Sequence, residues 1–156
     1  MRWSGILAGA MALISVGSAM AGALDDAFGG GPACYARAYD QTHLASHPKQ
    51  RVREVMLGTL PEETAEDPGE WDIVLDLGFT LIDGSDYAGR AYCVDDACSL
   101  EGDGGRFDVA PAKDDGLQLS IVGDFLELEG VEGFSGNLAE SDDKVFLLYP
   151  VSASAC

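Results

Sequence analysis

The stretch WDIVLDLGFTL, residues 71–81, decides the fold. Apolar side chains occupy every second position in it, from Trp71 to Leu81. Successive side chains of a strand point to opposite faces, so this period of two predicts a β-strand with one buried face. A helix would scatter the same residues around its circumference. Gly78, inside the stretch, predicts a bulge or a sharp bend.

Shorter segments of similar character lie on both sides of this strand. The further predicted strands are 51–60, 90–94, 97–101, 106–110, 117–121, 125–129 and 144–151. Asp95-Asp96 and Gly123-Asp124 each predict a hairpin turn between two of them. About eight strands with frequent Gly and Asp turns predict an all-β domain, either a small antiparallel barrel or, as the alternative, a β-sandwich. We favour the barrel because closure removes exposed strand edges.

The segments around these strands have other characters. Residues 22–33, which include a run of three glycines and a proline, are expected to form a flexible leader. Residues 34–47 favour a short helical segment, which Pro48 should end because it biases the residue before it out of the helical region. The acidic stretch 61–70 is expected to be a loop. Residues 34–156 then form a single β domain with an N-terminal helical segment.

Residues 1–21 have the features of a secretory signal peptide. Arg2 provides the positive charge, residues 6–16 are apolar, and Ala19-Met20-Ala21 is a small-x-small cleavage site. The apolar run is short for a membrane span of about 20 residues, so no membrane insertion is expected after its removal. The mature chain would begin at Gly22 and be periplasmic or secreted.

Four cysteines follow the expected signal peptide, and export favours their oxidation to disulfides. Cys93 and Cys98 flank the predicted turn at 95–96 and are expected to pair across it. Cys34 and Cys156 lie near the two ends of the β domain and are expected to pair with each other. A redox site would need the Cys-x-x-Cys spacing, which does not occur. The prediction is therefore two structural disulfides.

The chain is strongly acidic, with 27 acidic and nine basic residues and a net charge of −18. Loss of residues 1–21 would remove Arg2 and no acid, making the charge −19. Phosphate backbones would be repelled, so nucleic acid is excluded as a partner. The charge is suited to steering toward a cationic partner. The alternative explanation is solubility, or adaptation to a salty or acidic habitat.

The sequence contains few candidates for catalysis or metal binding. His43 and His47 would share a helical face, but Pro48 opposes that geometry, and hydrogen bonding in a loop is the favoured role. Ser135 lies in GFSGN, which departs from the Gly-x-Ser-x-Gly motif of hydrolases. No catalytic, cofactor-binding or metal-binding residue is therefore predicted.

Three acidic clusters, at 83–86, 101–103 and 141–143, depart from the calcium-loop pattern and are expected to be turns. Paired carboxylates of a glycosidase would not stand out among 27 acids.

Several short motifs resemble a group of small uncharacterised secreted bacterial proteins. They are Cys34-Tyr35, the pattern HLAxHPxQ at 43–50, the pattern GDGGxF at 102–107 and VFLL at 145–148. The resemblance implies export and a shared fold, and it carries no functional residue.

The hypothesis from the sequence is an exported, non-enzymatic binding module on a disulfide-stapled β-barrel. Its ligand is a small molecule or a cationic protein, and the sharper form is an inhibitor of a cationic enzyme such as a lysozyme. The alternative is a periplasmic hydrolase that uses carboxylates or His43.

Overall fold

A computed structural model of the protein describes residues 22–31, 33–60 and 69–156. The expected signal peptide and most of the expected acidic loop lie outside these ranges. The strands are β1 (Cys34–Ala38), β2 (Val52–Thr59), β3 (Ile73–Leu81), β4 (Asp86–Val94), β5 (Ala97–Leu100), β6 (Gly105–Pro111), β7 (Leu117–Leu126), β8 (Glu129–Gly130), β9 (Gly133–Phe134) and β10 (Val145–Val151). The α-helices of the described residues are α1 (Ala23–Phe28) and α2 (Gln41–Ser46), and short 3-10 helices lie at Glu101–Asp103, Leu138–Glu140 and Ala153–Ala155.

The strands form a closed antiparallel barrel, which confirms the predicted fold over the sandwich. The order around the barrel is β3-β2-β1-β10-β7-β6-β5-β4, and pairing of β3 with β4 closes it. The short β8–β9 hairpin extends from the barrel wall, because β8 pairs with β4 at Tyr87 and Ala88. An eight-stranded barrel is just wide enough for its interior to be filled by side chains.

Strand β3 has the predicted alternation and supplies much of the core. Leu75, Leu77 and Phe79 are at most 2% exposed, whereas Asp76 and Thr80 on the other face are only partly buried. Val74 departs from the alternation, since it is buried at 9% exposure. Burial of each such side chain contributes about 1.5–3 kcal/mol. Phe79 meets Phe146 of β10 with ring centroids 5.3 Å apart, so side chains from distant strands fill the interior.

Gly78 lies in a regular part of β3, so the predicted bulge is wrong. Its pairing with Met56 of β2 and Ala88 of β4 continues without a shift in register. A Cβ at this position would lie 3.0 Å from Cγ of Met56. The glycine makes room for the methionine side chain.

Two predictions about the N-terminal part of the domain are wrong. Residues 34–38 form strand β1, because pairing with β2 and β10 overrides their local helical preference. Of the residues 34–47 that were expected to be helical, only 41–46 form a helix, α2, which ends before Pro48 as expected. Helix α1 forms within the expected flexible leader, because Leu24 and Phe28 are buried in the core.

The hairpin predicted at Gly123-Asp124 is also wrong. Strand β7 continues to Leu126, and residues 123–125 bulge outward between the paired positions Val122 and Leu126. Gly123 permits this with a φ of 81°. Within the described residues, no helix is long and apolar enough to cross a membrane.

Candidate functional site

Several surface clefts of the described residues combine polar and aromatic side chains, and two of them carry the candidate chemistry. The first, which we call the acidic cleft, lies where the β5–β6 turn, the end of β7 and the β8–β9 hairpin meet. Its charged and aromatic lining residues are Glu101, Asp103, Glu127, Glu129, Phe125 and Phe134.

Glycines bring one wall of the acidic cleft close to the other. A Cβ on Gly104 would lie 2.6 Å from the carbonyl oxygen of Glu127, and a Cβ on Gly105 would meet the carbonyl of Phe125. The turn also holds Asp103 in the left-handed region, with a φ of 60°. The glycine-rich run at 102–105 thus lets the turn pack onto the end of β7, and this places Glu101 and Asp103 beside that segment.

Two phenylalanines of the acidic cleft are exposed to solvent. Phe125 is 43% exposed at the outward bulge of β7, and Phe134 is 65% exposed on β9. Ser135 fixes the second wall, since its hydroxyl accepts a hydrogen bond from N–H of Leu128 and its own N–H donates to the Leu128 carbonyl. The aromatic rings are therefore displayed on a braced hairpin instead of being packed in the core.

The charged side chains that line the acidic cleft are all negative. Four carboxylates line it, and no basic residue does so within the described part of the chain. The N–H of Arg90 donates to Oε1 of Glu101 and orients that carboxylate. The cleft encloses about 120 Å³.

The second cleft, which we call the seam cleft, lies between β1 and β10. Cys34–Ala36 of β1 pair with Tyr149–Val151 of β10, and the ladder between the two strands does not extend to residues 145–148, which pair only with β7 on the other side of β10. Polar side chains fill the gap that this divergence leaves. The cleft encloses about 270 Å³, and its polar lining residues are Arg37, Tyr39, His43, His47, Gln50, Asp142 and Asp143.

Stacked rings occupy the seam cleft. The guanidinium of Arg37 lies between the rings of Tyr39 and Tyr149, 5.4 and 5.5 Å from their centroids. Tyr39 stacks on His43 at 4.6 Å, and His43 stacks on His47 at 4.2 Å. Burial raises the pKa of Tyr39, and the charge of Arg37 opposes that rise.

The two histidines, weighed above as metal ligands, have hydrogen-bonding roles in this structure. Nε2 of His43 lies 3.0 Å from Oε1 of Gln50, and Nδ1 of His47 lies 2.9 Å from the carbonyl oxygen of His43. Among the described residues, no group of three or more His, Cys, Asp or Glu is arranged to hold a metal ion.

Asp143 forms the floor of the seam cleft and is 2% exposed. Its carboxylate accepts hydrogen bonds from the Arg51 and Val52 N–H groups and from the Ser141 hydroxyl. Burial raises its pKa, and these hydrogen bonds oppose the rise. The cluster at 141–143 is thus a structural link between distant segments.

The predicted disulfides are both present, as Cys34–Cys156 and Cys93–Cys98. The second bridges β4 and β5 across the turn at 95–96, as expected.

Ser135, which was not expected to be a nucleophile, is 4% exposed, and its hydroxyl donates a hydrogen bond to the carbonyl of Gly136.

The acidic turn at 83–86 also has the expected structural role. Asp83 accepts a hydrogen bond from the N–H of Ser85, which lowers the pKa of the aspartate. Such a side-chain contact is the usual way in which an aspartate stabilises a turn.

Sequence analysis did not single out Phe125 and Phe134. Phe125 falls in a segment with strand character, and the irregular backbone that exposes it depends on pairing with β6. For Phe134, the signal that could have indicated exposure was its position between Gly133 and Ser135, two residues typical of turns.

No family model, curated protein or solved structure matches this chain.

Proposed function

We propose that the protein is an exported, non-enzymatic binding module whose acidic cleft receives a Lys or Arg side chain of a cationic protein. The observation that carries this proposal is the placement of two solvent-exposed phenylalanines in a cleft lined by four carboxylates. Contiguous exposed apolar patches rimmed by polar residues mark interaction sites, and aromatic residues are enriched at protein interfaces.

The chemistry of the cleft suits a cation with an apolar stem. Lys and Arg carry an alkyl chain that packs on aromatic rings and a charged head that carboxylates attract. A cation over an aromatic face contributes about 0.5–1 kcal/mol at exposed sites and about 2 kcal/mol when water is excluded. Phe125 and Phe134 would contact the stem and head, and Glu127 and Glu129 would balance the charge.

The dimensions favour a side chain of a protein over a free small molecule. Small-molecule pockets typically enclose about 300–1,000 Å³, whereas the acidic cleft encloses about 120 Å³. The barrel interior is filled by side chains such as Leu57, Phe107 and Leu119, each 0% exposed, so it does not favour a small ligand either.

The overall charge supports the same class of partner. A net charge of −18 attracts a cationic protein over long distances and speeds association at low ionic strength. Binding over the active-site groove of a cationic enzyme would block substrate access, and inhibition of an enzyme such as a lysozyme is the sharper form of the proposal.

The hydrolase alternative has weaker support from the seam cleft. His43 has one ring face on Tyr39 and the other on His47, and Nε2 is engaged by Gln50. A general base needs a free nitrogen within reach of the proton it removes. These contacts favour a structural role for His43, and we therefore propose binding instead of hydrolysis.

Calorimetric titration with a lysozyme, used as the cationic probe, tests the proposal. We expect Phe134→Ala to weaken binding by about tenfold or more, as for an interface hot spot, and 300 mM salt to weaken it further. Val131→Ala is the matched control, because Val131 is fully exposed at the tip of the same hairpin and does not line the cleft.

Equal binding by the Phe134→Ala and Val131→Ala proteins would refute the assignment of the acidic cleft. Absence of binding to the lysozyme and to other cationic proteins of the same compartment would refute the proposed function. Loss of lysozyme activity at the concentrations that saturate binding is the expected result for the inhibitor form.

A further inference from the structure

Helix α1 begins beside Asp96, which follows it by more than 70 residues in the chain. Oδ2 of Asp96 accepts a hydrogen bond from N–H of Ala23 at 3.0 Å, and Oδ1 accepts one from N–H of Leu24 at 2.9 Å. Gly22 precedes the helix and lies against the same carboxylate, since a Cβ built on it would be 2.7 Å from Oδ1 of Asp96. Gly22 is also the first residue of the expected mature chain.

The two partners are held in place independently. Leu24 and Phe28 anchor α1 in the barrel core, at 1% and 4% exposure. Asp96 lies in the two-residue turn between β4 and β5, which the Cys93–Cys98 disulfide braces. Its carbonyl also accepts a hydrogen bond from N–H of Val109. The distance between the Gly22 backbone and the Asp96 carboxylate is therefore set by the fold.

Three further aspartates line a cavity next to Gly22. Gly22 lines a cavity of about 400 Å³ together with Asp25 of α1, Asp72 before β3 and Asp95 of the turn. The described lining residues include no lysine, arginine or histidine. Aspartates from three segments thus line the cavity beside a position where the intact precursor carries only an uncharged peptide N–H.

We propose that cleavage after Ala21 creates the cation that this site lacks, an α-ammonium on Gly22 that forms an ion pair with Asp96 and fixes α1 at the end of the barrel. Hydrolysis by the protease that removes the signal peptide breaks the bond between the carbonyl carbon of Ala21 and the nitrogen of Gly22. Water supplies a hydroxyl to Ala21 and a proton to Gly22, and the new amine takes a second proton at neutral pH.

The proposal has a defined pH dependence. Asp96, Asp25, Asp72 and Asp95 all favour the charged amine, so its pKa in the folded protein is expected above the usual value of about 7.7–8.0. The dipole of a six-residue helix opposes this only weakly. Because the folded-state pKa is raised, the stabilisation is complete below the unfolded-state pKa and is lost as the pH rises through the folded-state pKa.

Urea unfolding of two proteins that differ only at the N-terminus tests the proposal. One begins at Gly22 and the other at Ala19, each released from a cleavable fusion, and Asp96→Asn is made in both. At pH 6 we expect the folding equilibrium constant of the Gly22 form to be larger by up to about fivefold, the range for exposed ion pairs. The advantage should vanish above the folded-state pKa and in the Asp96→Asn pair.

Equal stability of the two forms at pH 6 would overturn the proposal, and so would an advantage that persists undiminished in the Asp96→Asn pair. If Asp96→Asn prevents folding, NMR titration of isotope-labelled Gly22 in the wild-type protein gives the answer. An α-amine pKa above the ordinary range supports the ion pair, and an ordinary value refutes it. These results do not depend on whether the acidic cleft binds a cationic protein.

Discussion

At the scale of single residues, the buried carboxylate of Asp143 joins segments that are far apart in the chain. One carboxylate holds the backbone at the start of β2, more than 90 residues away in the chain, and also the hydroxyl of Ser141. Removing a buried acceptor leaves its donors unsatisfied, which costs more than the hydrogen bonds themselves contribute. Asp143 therefore acts as a link between two segments that the β-ladder does not join.

We predict that Asp143→Asn destabilises the protein by about 1–3 kcal/mol at pH 7, because an amide group then faces N–H donors. Burial raises the folded-state pKa of Asp143 above 3.8. As the pH falls, the folded protein takes up this proton before the unfolded chain does, so the wild type gains stability relative to the variant.

Urea melts of the two proteins at several pH values from 7 to 3 check this prediction. The stability difference should widen as the pH falls from the folded-state pKa toward 3.8. Asp142→Asn is the control, since Asp142 lies next in the chain and is more exposed. A difference that shrinks on acidification would contradict the prediction.

Among the elements, α1 shows why the expected leader was wrong. Glycines and a proline at 29–32 suggested flexibility, yet the six residues before them bury Ala23, Leu24 and Phe28. A helix of six residues is unstable alone. Packing of its apolar face and the hydrogen bonds to Asp96 stabilise it, and neither can be recognised from local sequence.

The two disulfides differ most in the length of chain they enclose. Cys34 and Cys156 are 122 residues apart, whereas Cys93 and Cys98 are five apart. In the chain-entropy model the long bridge stabilises by about 5 kcal/mol and the short one by about 2 kcal/mol. We therefore predict that the paired Cys→Ser change at 34 and 156 costs more than the pair at 93 and 98.

Denaturant melts of the two double variants check the order, with the mature wild-type protein as reference. A larger loss from the 93/98 pair would show that bracing the turn at Asp96 outweighs loop entropy. That outcome would contradict the prediction and would favour a larger role for the α1 contacts.

In the whole molecule, acidic residues outnumber basic residues by 27 to nine, so most carboxylates have no cation to pair with. The ion pairs Arg53–Glu54 and Lys144–Asp124, for example, lie on the surface, where each contributes little. A net charge of −18 therefore leaves mutual repulsion that the unfolded chain relieves by expanding.

We predict that the melting temperature at pH 7 rises when sodium chloride is increased from about 20 to 500 mM, because salt screens repulsion between exposed charges. If screening contributes about 1 kcal/mol, the rise is about 3–6 °C. Calorimetric scans in sodium chloride and in equimolar sucrose separate screening from solute exclusion. A constant or lower melting temperature in salt would contradict the prediction.

The sequence alone was sufficient for the all-β barrel, the β3 alternation and both disulfides. The β3 alternation and the Cys93–Cys98 disulfide depend on short-range patterns, namely the period of two in residues 71–81 and the turn between the two cysteines. The Cys34–Cys156 disulfide was predicted from the position of these cysteines near the two ends of the domain. The period of two is expected in any fold that buries one face of each strand, because successive side chains point to opposite faces.

Only the tertiary structure decided β1, α1 and the acidic cleft. Strand β1 has helical leanings that pairing on both sides overrides, and α1 depends on a carboxylate 72 residues away from Leu24. The cleft forms because the glycines at 104–105 let the turn approach the bulge of β7 that exposes Phe125. These features result from contacts between segments distant in the chain, whose free energies exceed the local preferences from which sequence analysis starts.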